Sequence, residues 1–176
     1  MLNDFLLIYL FIVAAILFRI TMLFVSIRNE KALRANGATE YGATNSRILA
    51  IVHTGFYLAA VVEWSLRHTR IDDISVAGFG LYVFGIFFLL VVVHLLGRLW
   101  TVKLLIAHNH VLTTHPLFRL VRHPNYYLNI LPELIGYGLV LHSYFTILIG
   151  LPIYLVPLIA RIKLEEKVMR NTFSEY

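Results

Sequence analysis

The chain has no cysteine. That absence removes disulfides, thiolate metal sites and cysteine nucleophiles from consideration, and it leaves the redox compartment open. Charge is scarce too: Asp, Glu, Lys and Arg make up 14% of the residues, against roughly 25% in soluble domains. With 176 residues, 59% of them hydrophobic, and a mean hydropathy of +0.76, the chain reads as an integral membrane protein. No soluble domain and no internal repeat is visible. The formal net charge of +5 sits in clusters beside the apolar runs, the pattern of a basic inner-leaflet edge rather than of a nucleic-acid surface.

A spanning helix needs about 20 mostly apolar residues, and segments 5–27, 48–66 and 76–96 qualify. The first is too long for the core of a cleaved signal and lacks both a basic start and a small-residue cleavage site. Residues 125–160 are apolar except for one acid and the pair His142-Ser143 near their middle, which predicts helices over 125–141 and 144–160 joined by a tight turn at "LHSY". The expected architecture is a single all-α membrane domain, 1–176, with about five transmembrane helices, the last two a helical hairpin. Orientation follows from the basic residues. Arg28, Lys31, Arg34 and Arg47, then Arg98, Lys103, Arg119 and Arg122, then Arg161, Lys163, Lys167 and Arg170 fall on one side, with Arg67 and Arg70 on the other. The N-terminus is therefore expected outside and the C-terminus in the cytoplasm.

The stretch between the third and fourth runs, 97–124, is longer than a plain bundle requires, and long connections tend to carry function. It holds His108, His110, His115 and His123, whose spacing, without cysteine or a nearby acid, matches no usual zinc pattern, so no metal is expected. The tail "RIKLEEKVMRNTFSEY" reads as a helix with Ile162, Glu166, Met169 and Phe173 on one face. Its i,i+4 pairs, Arg161 with Glu165 and Glu166 with Arg170, suit a solvated helix. Paired glutamates opposite paired arginines also suit a zwitterionic ligand, the cations taking its carboxylate and the anions its amine or ribose hydroxyls. Ionisable groups inside the runs are functional candidates by default. Arg19 lies nine residues before Arg28, so its side chain either snorkels or lines a substrate chamber. Glu63 has Arg67 one turn on, and His94 has Arg98, which favours local pairing; His53 has no such neighbour. Asn129 and Glu133, one turn apart, are better placed to face a chamber.

"HVLTTHPLFRLVRHPNYY" resembles the pattern HxLVTxGPYxxxRHPxYxG of the isoprenylcysteine carboxyl methyltransferase family, and the tail resembles that family's closing RIxxEExxLxxxFGxxY. "SIRNEKALRANGATEYG" is similar to the N-terminal signature of small bacterial members, some of which accompany type III polyketide synthases and methylate alkylpyrones or alkylresorcinols. The resemblance implies a cytoplasmic pocket for S-adenosylmethionine, with S-adenosylhomocysteine as product, formed by the 98–124 loop and the C-terminal helix. Within the cofactor regions 98–126 and 161–176, it assigns cofactor contacts to His110, Leu112, Arg122, His123, Pro124, Tyr126, Glu165 and Glu166. Of these, Arg122, His123 and Glu166 form the catalytic set, and Arg19, Asn129 and Glu133 are the substrate candidates. The chain departs from the pattern at Pro116, Leu117, Phe118, Leu128 and Ser174, which leaves the charged framework intact.

Methyl transfer from a sulfonium is an in-line displacement, for which positioning and water exclusion are the main tools. A carboxylate acceptor is already ionised near neutral pH, whereas a phenol needs a base, for which His123 and Glu166 are candidates. The expected partner is a lipophilic small molecule or prenylated substrate reached from the membrane lipids, not a nucleic acid. Two other classes were weighed. The related sterol and steroid reductases also carry RHPNY, but their closing motif contains His and Trp-Tyr, and this tail has neither His nor Trp. A non-catalytic scaffold or transporter subunit is opposed by the lack of a broken-helix repeat.

Overall fold

The computed structural model describes residues 2–106 and 115–172. The first apolar run becomes helix α1, Leu2–Ala35, which begins with Asp4 in its first turn and ends with Arg34 in its last, both matched to the helix dipole. It stops at Gly37, φ 76°, where the amides of Gly37 and Ala38 bond back to the carbonyls of Arg34 and Leu33. This close leaves the helix end satisfied and turns the chain into a short strand, β1, Thr39–Tyr41. Helix α2, Ala43–Arg67, follows, and α3, Asp73–Leu96, starts from a capping box in which Asp72 and Ser75 satisfy each other's backbone amides.

Strand β2, Leu104–Ile106, pairs antiparallel with β1, Thr39 facing Ile106 and Tyr41 facing Leu104. The tie is reinforced from α1. Asn29 donates to the carbonyls of Gly97 and Trp100, Ser26 accepts from the Val102 amide, and Lys103 reaches Glu30 at 2.7 Å. The segment 97–106, read above as part of one long connection, is thus strapped down across one end of the bundle. A short helix, α4, Pro116–Leu120, is capped by the His115 ring, which accepts from the Leu117 amide at 3.2 Å.

After Pro124 comes a π-helical turn, Asn125–Ile130, continuing into α5, Leu131–Val140. A second π-helical turn, Thr146–Gly150, leads into α6, Leu151–Thr172. Each wide turn is followed two residues later by a proline, Pro132 or Pro152. A proline ring clashes with the preceding turn and offers no amide hydrogen, which favours local widening. The turn at "LHSY" is present, with His142 at φ 52°.

Among the described residues, four helical stretches are long and apolar enough to cross a membrane: Asn3–Ala35, Ala43–Arg67, Asp73–Leu99 and Thr146–Thr172. The expected fifth span is different. The helical stretch 125–140 has 6 residues in its π turn and 10 in α5, about 24 Å of helix by rise per residue, against a hydrocarbon core of about 30 Å. It is also largely buried by protein, with Leu134 and Tyr137 fully enclosed. Its close neighbour is α3, and the contact is made by small residues. A Cβ added at Gly136 would come within 2.5 Å of the Tyr82 nitrogen, and one at Gly85 within 2.9 Å of the Asn129 carbonyl. Glycines let the backbones approach in the manner of membrane helix pairs. The apolar side chains left exposed, Leu10, Leu17, Phe24, Ile51, Leu148 and Val156 among them, lie along the long helices, where lipid rather than water is their surroundings.

Candidate active site

His123 is 5% exposed, next to Arg122, and Pro124 behind it turns the chain into the π-helical turn. Its Nδ1 lies 3.7 Å from Glu165 and its Nε2 3.5 Å from Glu166. The Tyr126 ring stacks beside it, 5.8 Å between centres, and the Tyr126 hydroxyl donates to Glu165 at 2.7 Å. The turn after Pro124 and the last third of α6 are therefore joined through these carboxylates. Burial lowers the affinity of His123 for a proton, but hydrogen bonds and charge from Glu165 and Glu166 outweigh it, and the pKa is raised above the ordinary value.

Beside this group is a cavity of about 530 Å³, walled by the end of α3, by β2, by Phe118, Arg119 and Arg122, and by Arg161, Glu165 and Met169 of α6. Arg122 is exposed on this wall, and among the described residues its guanidinium makes no ion pair or hydrogen bond. Pro124 and Tyr126 line the same cavity. Glu166 does not line it; it is held by His123 and, at 3.4 Å, by Arg170. His110 and Leu112 lie outside the described residues, as do His108, Phe173 and Ser174. Among the described residues no group of three metal-binding side chains is present.

A second cavity, of about 410 Å³, lies deeper among the helices. Arg19 and Ile20 come from α1, His53 and Tyr57 from α2, Asn129 from the π-helical turn and Tyr154 from α6. Its walls are mainly apolar. Glu133, completely buried, holds Arg19 from behind through two of the three guanidinium nitrogens, Nε and Nη2, and also accepts from Tyr57. The three substrate candidates of the sequence, separated by as many as 114 positions, are thereby gathered in one place.

The two cavities share five residues: Trp100, Thr101, Asn125, Tyr126 and Arg161. Arg161 is 3% exposed, donates to Ser46 at 2.7 Å and to the Val102 carbonyl at 3.3 Å, and lies 3.9 Å from Glu165. The sequence shows Arg161 only as an i,i+4 partner of Glu165. Its burial at the junction, and the presence there of Trp100 and Asn125, depend on long-range packing that no local pattern displays. Of the two expected local pairings, one is present and one is not. Glu63 lies 3.5 Å from Arg67 but also caps the start of the last helical stretch, accepting from the amides of Phe145 and Thr146. His94 is exposed, and among the described residues it makes no bond to Arg98, contrary to the expectation.

A compartment lined by cations and a carboxylate, opening through one shared wall onto an apolar chamber, can hold a charged ligand and a lipophilic one with their reactive ends facing. The family model that matches residues 78–171 is described as Isoprenylcysteine carboxyl methyltransferase (ICMT). An uncharacterized protein of Haemophilus influenzae is 45% identical over 157 residues, which cover 89% of this chain and 91% of that protein. No solved structure matches the chain.

Proposed function

Since the chain belongs to the isoprenylcysteine carboxyl methyltransferase family, we propose that it transfers the methyl group of S-adenosylmethionine to a lipophilic acceptor at the cytoplasmic face of the membrane. The observation that carries this reading is the shared wall. A charged compartment and an apolar one meet at Trp100, Thr101, Asn125, Tyr126 and Arg161.

The residues of the first cavity fit the cofactor. Arg122 and Arg119 are exposed cations on its wall, suited to a carboxylate. Glu165 is suited to an amine or to ribose hydroxyls. Nδ1 of His123 and Nε of Arg161 are buried and face Glu165 at 3.7 and 3.9 Å, so that carboxylate carries two cations beside the site. When bound, the cofactor supplies an electrophilic methyl on a sulfonium. Tyr126 and Arg161 fix the wall against which the acceptor's nucleophilic atom is held, and the apolar chamber behind it excludes water. The mainly apolar second cavity supports a lipophilic acceptor, either a prenylcysteine carboxylate or a hydroxyl on an alkylated phenol or pyrone. The basic clusters on the side of the first cavity support a cytoplasmic opening.

Calorimetric titration of the detergent-purified protein with S-adenosylhomocysteine, with NADPH in parallel, tests the reading. Saturable binding of the first alone is expected. Arg122→Ala is expected to weaken it at least about tenfold, the scale of a lost charged hydrogen bond, with an unchanged melting temperature, because Arg122 has no bond in the fold to lose. Binding of NADPH alone would move the protein to a reductase reading, and full affinity in the variant would remove Arg122 from the site.

A further inference from the structure

The outer faces of α1 and α3 end in cations that neither cavity uses. The two helices run parallel, because Phe11 of α1 meets Phe79 and Tyr82 near the start of α3, while Asn29 donates to the carbonyls of Gly97 and Trp100 just past its end. Between these points Phe18, Met22 and Val25 pack on the cluster of Leu89, Val92 and Trp100. One shoulder of this seam is internal: Arg19 meets Glu133, Ser26 accepts from the Val102 amide, and Glu30 accepts from Lys103. The other shoulder of α1, one residue back from each seam position, is Leu17, Thr21, Phe24 and Arg28, all exposed. On α3, Gly78, Tyr82 and Gly85 face α5. The shoulder turned away from α5 carries Phe87, Leu90 and His94, also exposed, and Arg98 follows on the short helical turn Gly97–Leu99. The two exposed shoulders flank the same side of the seam and form a groove, apolar along its length and cationic at its end.

We propose that this groove seats an anionic phospholipid of the leaflet beside the first cavity, with its acyl chains along Phe24 and Leu90 and its phosphate on Arg28, Arg98 and His94. The charge balance selects the occupant. Among the described residues these three side chains make no ion pair or hydrogen bond. Other cations at this end are taken: Arg34 and Lys103 hold Glu30, Arg34 also holds Glu40, and Arg161 lies beside Glu165. Glu30, two residues from Arg28, is thus engaged from the internal shoulder and does not neutralise the groove. Two guanidinium groups and an imidazole supply N–H donors to phosphate oxygens, and a zwitterionic headgroup would bring a cation of its own to a place that offers it no acid. A soluble phosphate would gain nothing from the apolar walls, whereas a basic recess between membrane helices on the cofactor's side suits a lipid headgroup. This lipid is distinct from the methyl acceptor, since none of the three cations lines either cavity. Its action is on the frame: it ties α1 to the turn that leads into Trp100, a residue of the shared wall.

The test equilibrates the delipidated, detergent-purified protein with equal amounts of phosphatidylglycerol and phosphatidylcholine of the same chain length, and reads the mass of the first lipid retained by native mass spectrometry. Wild type is expected to retain phosphatidylglycerol at least about fivefold more often, the size of one cation's attraction to an anionic headgroup. The informative variant is the double substitution Arg28→Gln with Arg98→Gln, in which neither side chain has a bond in the fold to lose. It is expected to retain the two lipids about equally. Arg47→Gln, which removes an exposed and unpaired cation of α2 at the same end, is expected to keep the wild-type preference. Phosphatidylglycerol should also raise the melting temperature of wild type above its value in phosphatidylcholine, because a ligand that binds the folded state stabilises it, and the double variant should lose this rise. No preference in wild type, or a preference that persists in the double variant, would overturn the proposal. An equal loss in Arg47→Gln would replace the groove by general surface charge, and loss of the preference in excess inorganic phosphate would replace the lipid by a soluble anion; either result counts against it.

Discussion

His123 shows how far a residue's surroundings change the role its motif suggests. From its place in RHP it is a candidate base, yet Glu165 and Glu166 flank it and raise its pKa despite burial. A ring whose proton is held more tightly is a weaker base, and its nearest task is to hold two carboxylates together. The linkage is explicit: a raised folded-state pKa gives stability that is fully present below the unfolded value of about 6.5 and is lost as pH rises through the elevated value. The melting temperature of wild type should therefore exceed that of His123→Gln most on the acid side of neutrality, and the two should converge as pH rises. A gap that widens with pH would reverse the assignment. Glu165→Gln should weaken S-adenosylhomocysteine binding at least about tenfold, because one substitution takes the charged acceptor from the Tyr126 hydroxyl, from His123 and from the cavity. At this scale the sequence shows the reactive types, Arg122, His123, Glu165 and Glu166, because their motifs are contiguous. Arg161 escapes it, because what makes it special is burial against Ser46 and Val102, more than fifty positions away.

Among the elements, the long apolar helices are legible because a run of lipid-soluble residues has few other solutions in a bilayer. The β1–β2 pairing is not, since three-residue strands separated by two spans leave no periodic signal. The short helix 125–140 is less legible for a related reason. It matches a span in composition, but part of its surface packs closely on α3, where Asn129, Glu133 and Gly136 meet Tyr82, Gly78 and Gly85. That contact also sets the register of Asn129 and Glu133, which lie on the same helical stretch. Gly136→Ala would push a methyl group into the Tyr82 backbone, where neither partner is a flexible side-chain tip. The expected cost is roughly 1–3 kcal/mol, the range for overpacked interiors, read as a lower midpoint of thermal unfolding in detergent. Gly80→Ala, on α3 with open space around its Cβ, should leave the midpoint unchanged or slightly raised.

At the scale of the whole molecule, the arrangement works only if the charged cavity opens to the side where soluble cofactor is found. On the proposed reading the lipophilic acceptor enters the second cavity from the bilayer, so the membrane itself separates the two supplies. The distribution of basic residues predicts the orientation: Lys31, Arg47, Arg119, Arg122 and Lys167 gather at the end of the bundle that carries β1, β2 and the first cavity, while Arg70 lies on the loop between α2 and α3. The absence of cysteine turns this into a clean experiment, because any thiol introduced is the only one. Arg70 and Lys31 are both exposed and lie on loops or helix ends outside the packed interior. In intact cells a membrane-impermeant maleimide should label Arg70→Cys and spare Lys31→Cys, and permeabilised cells should label both. The reverse pattern would place the charged cavity on the side without S-adenosylmethionine, and no rearrangement of side chains would then rescue the proposed reaction.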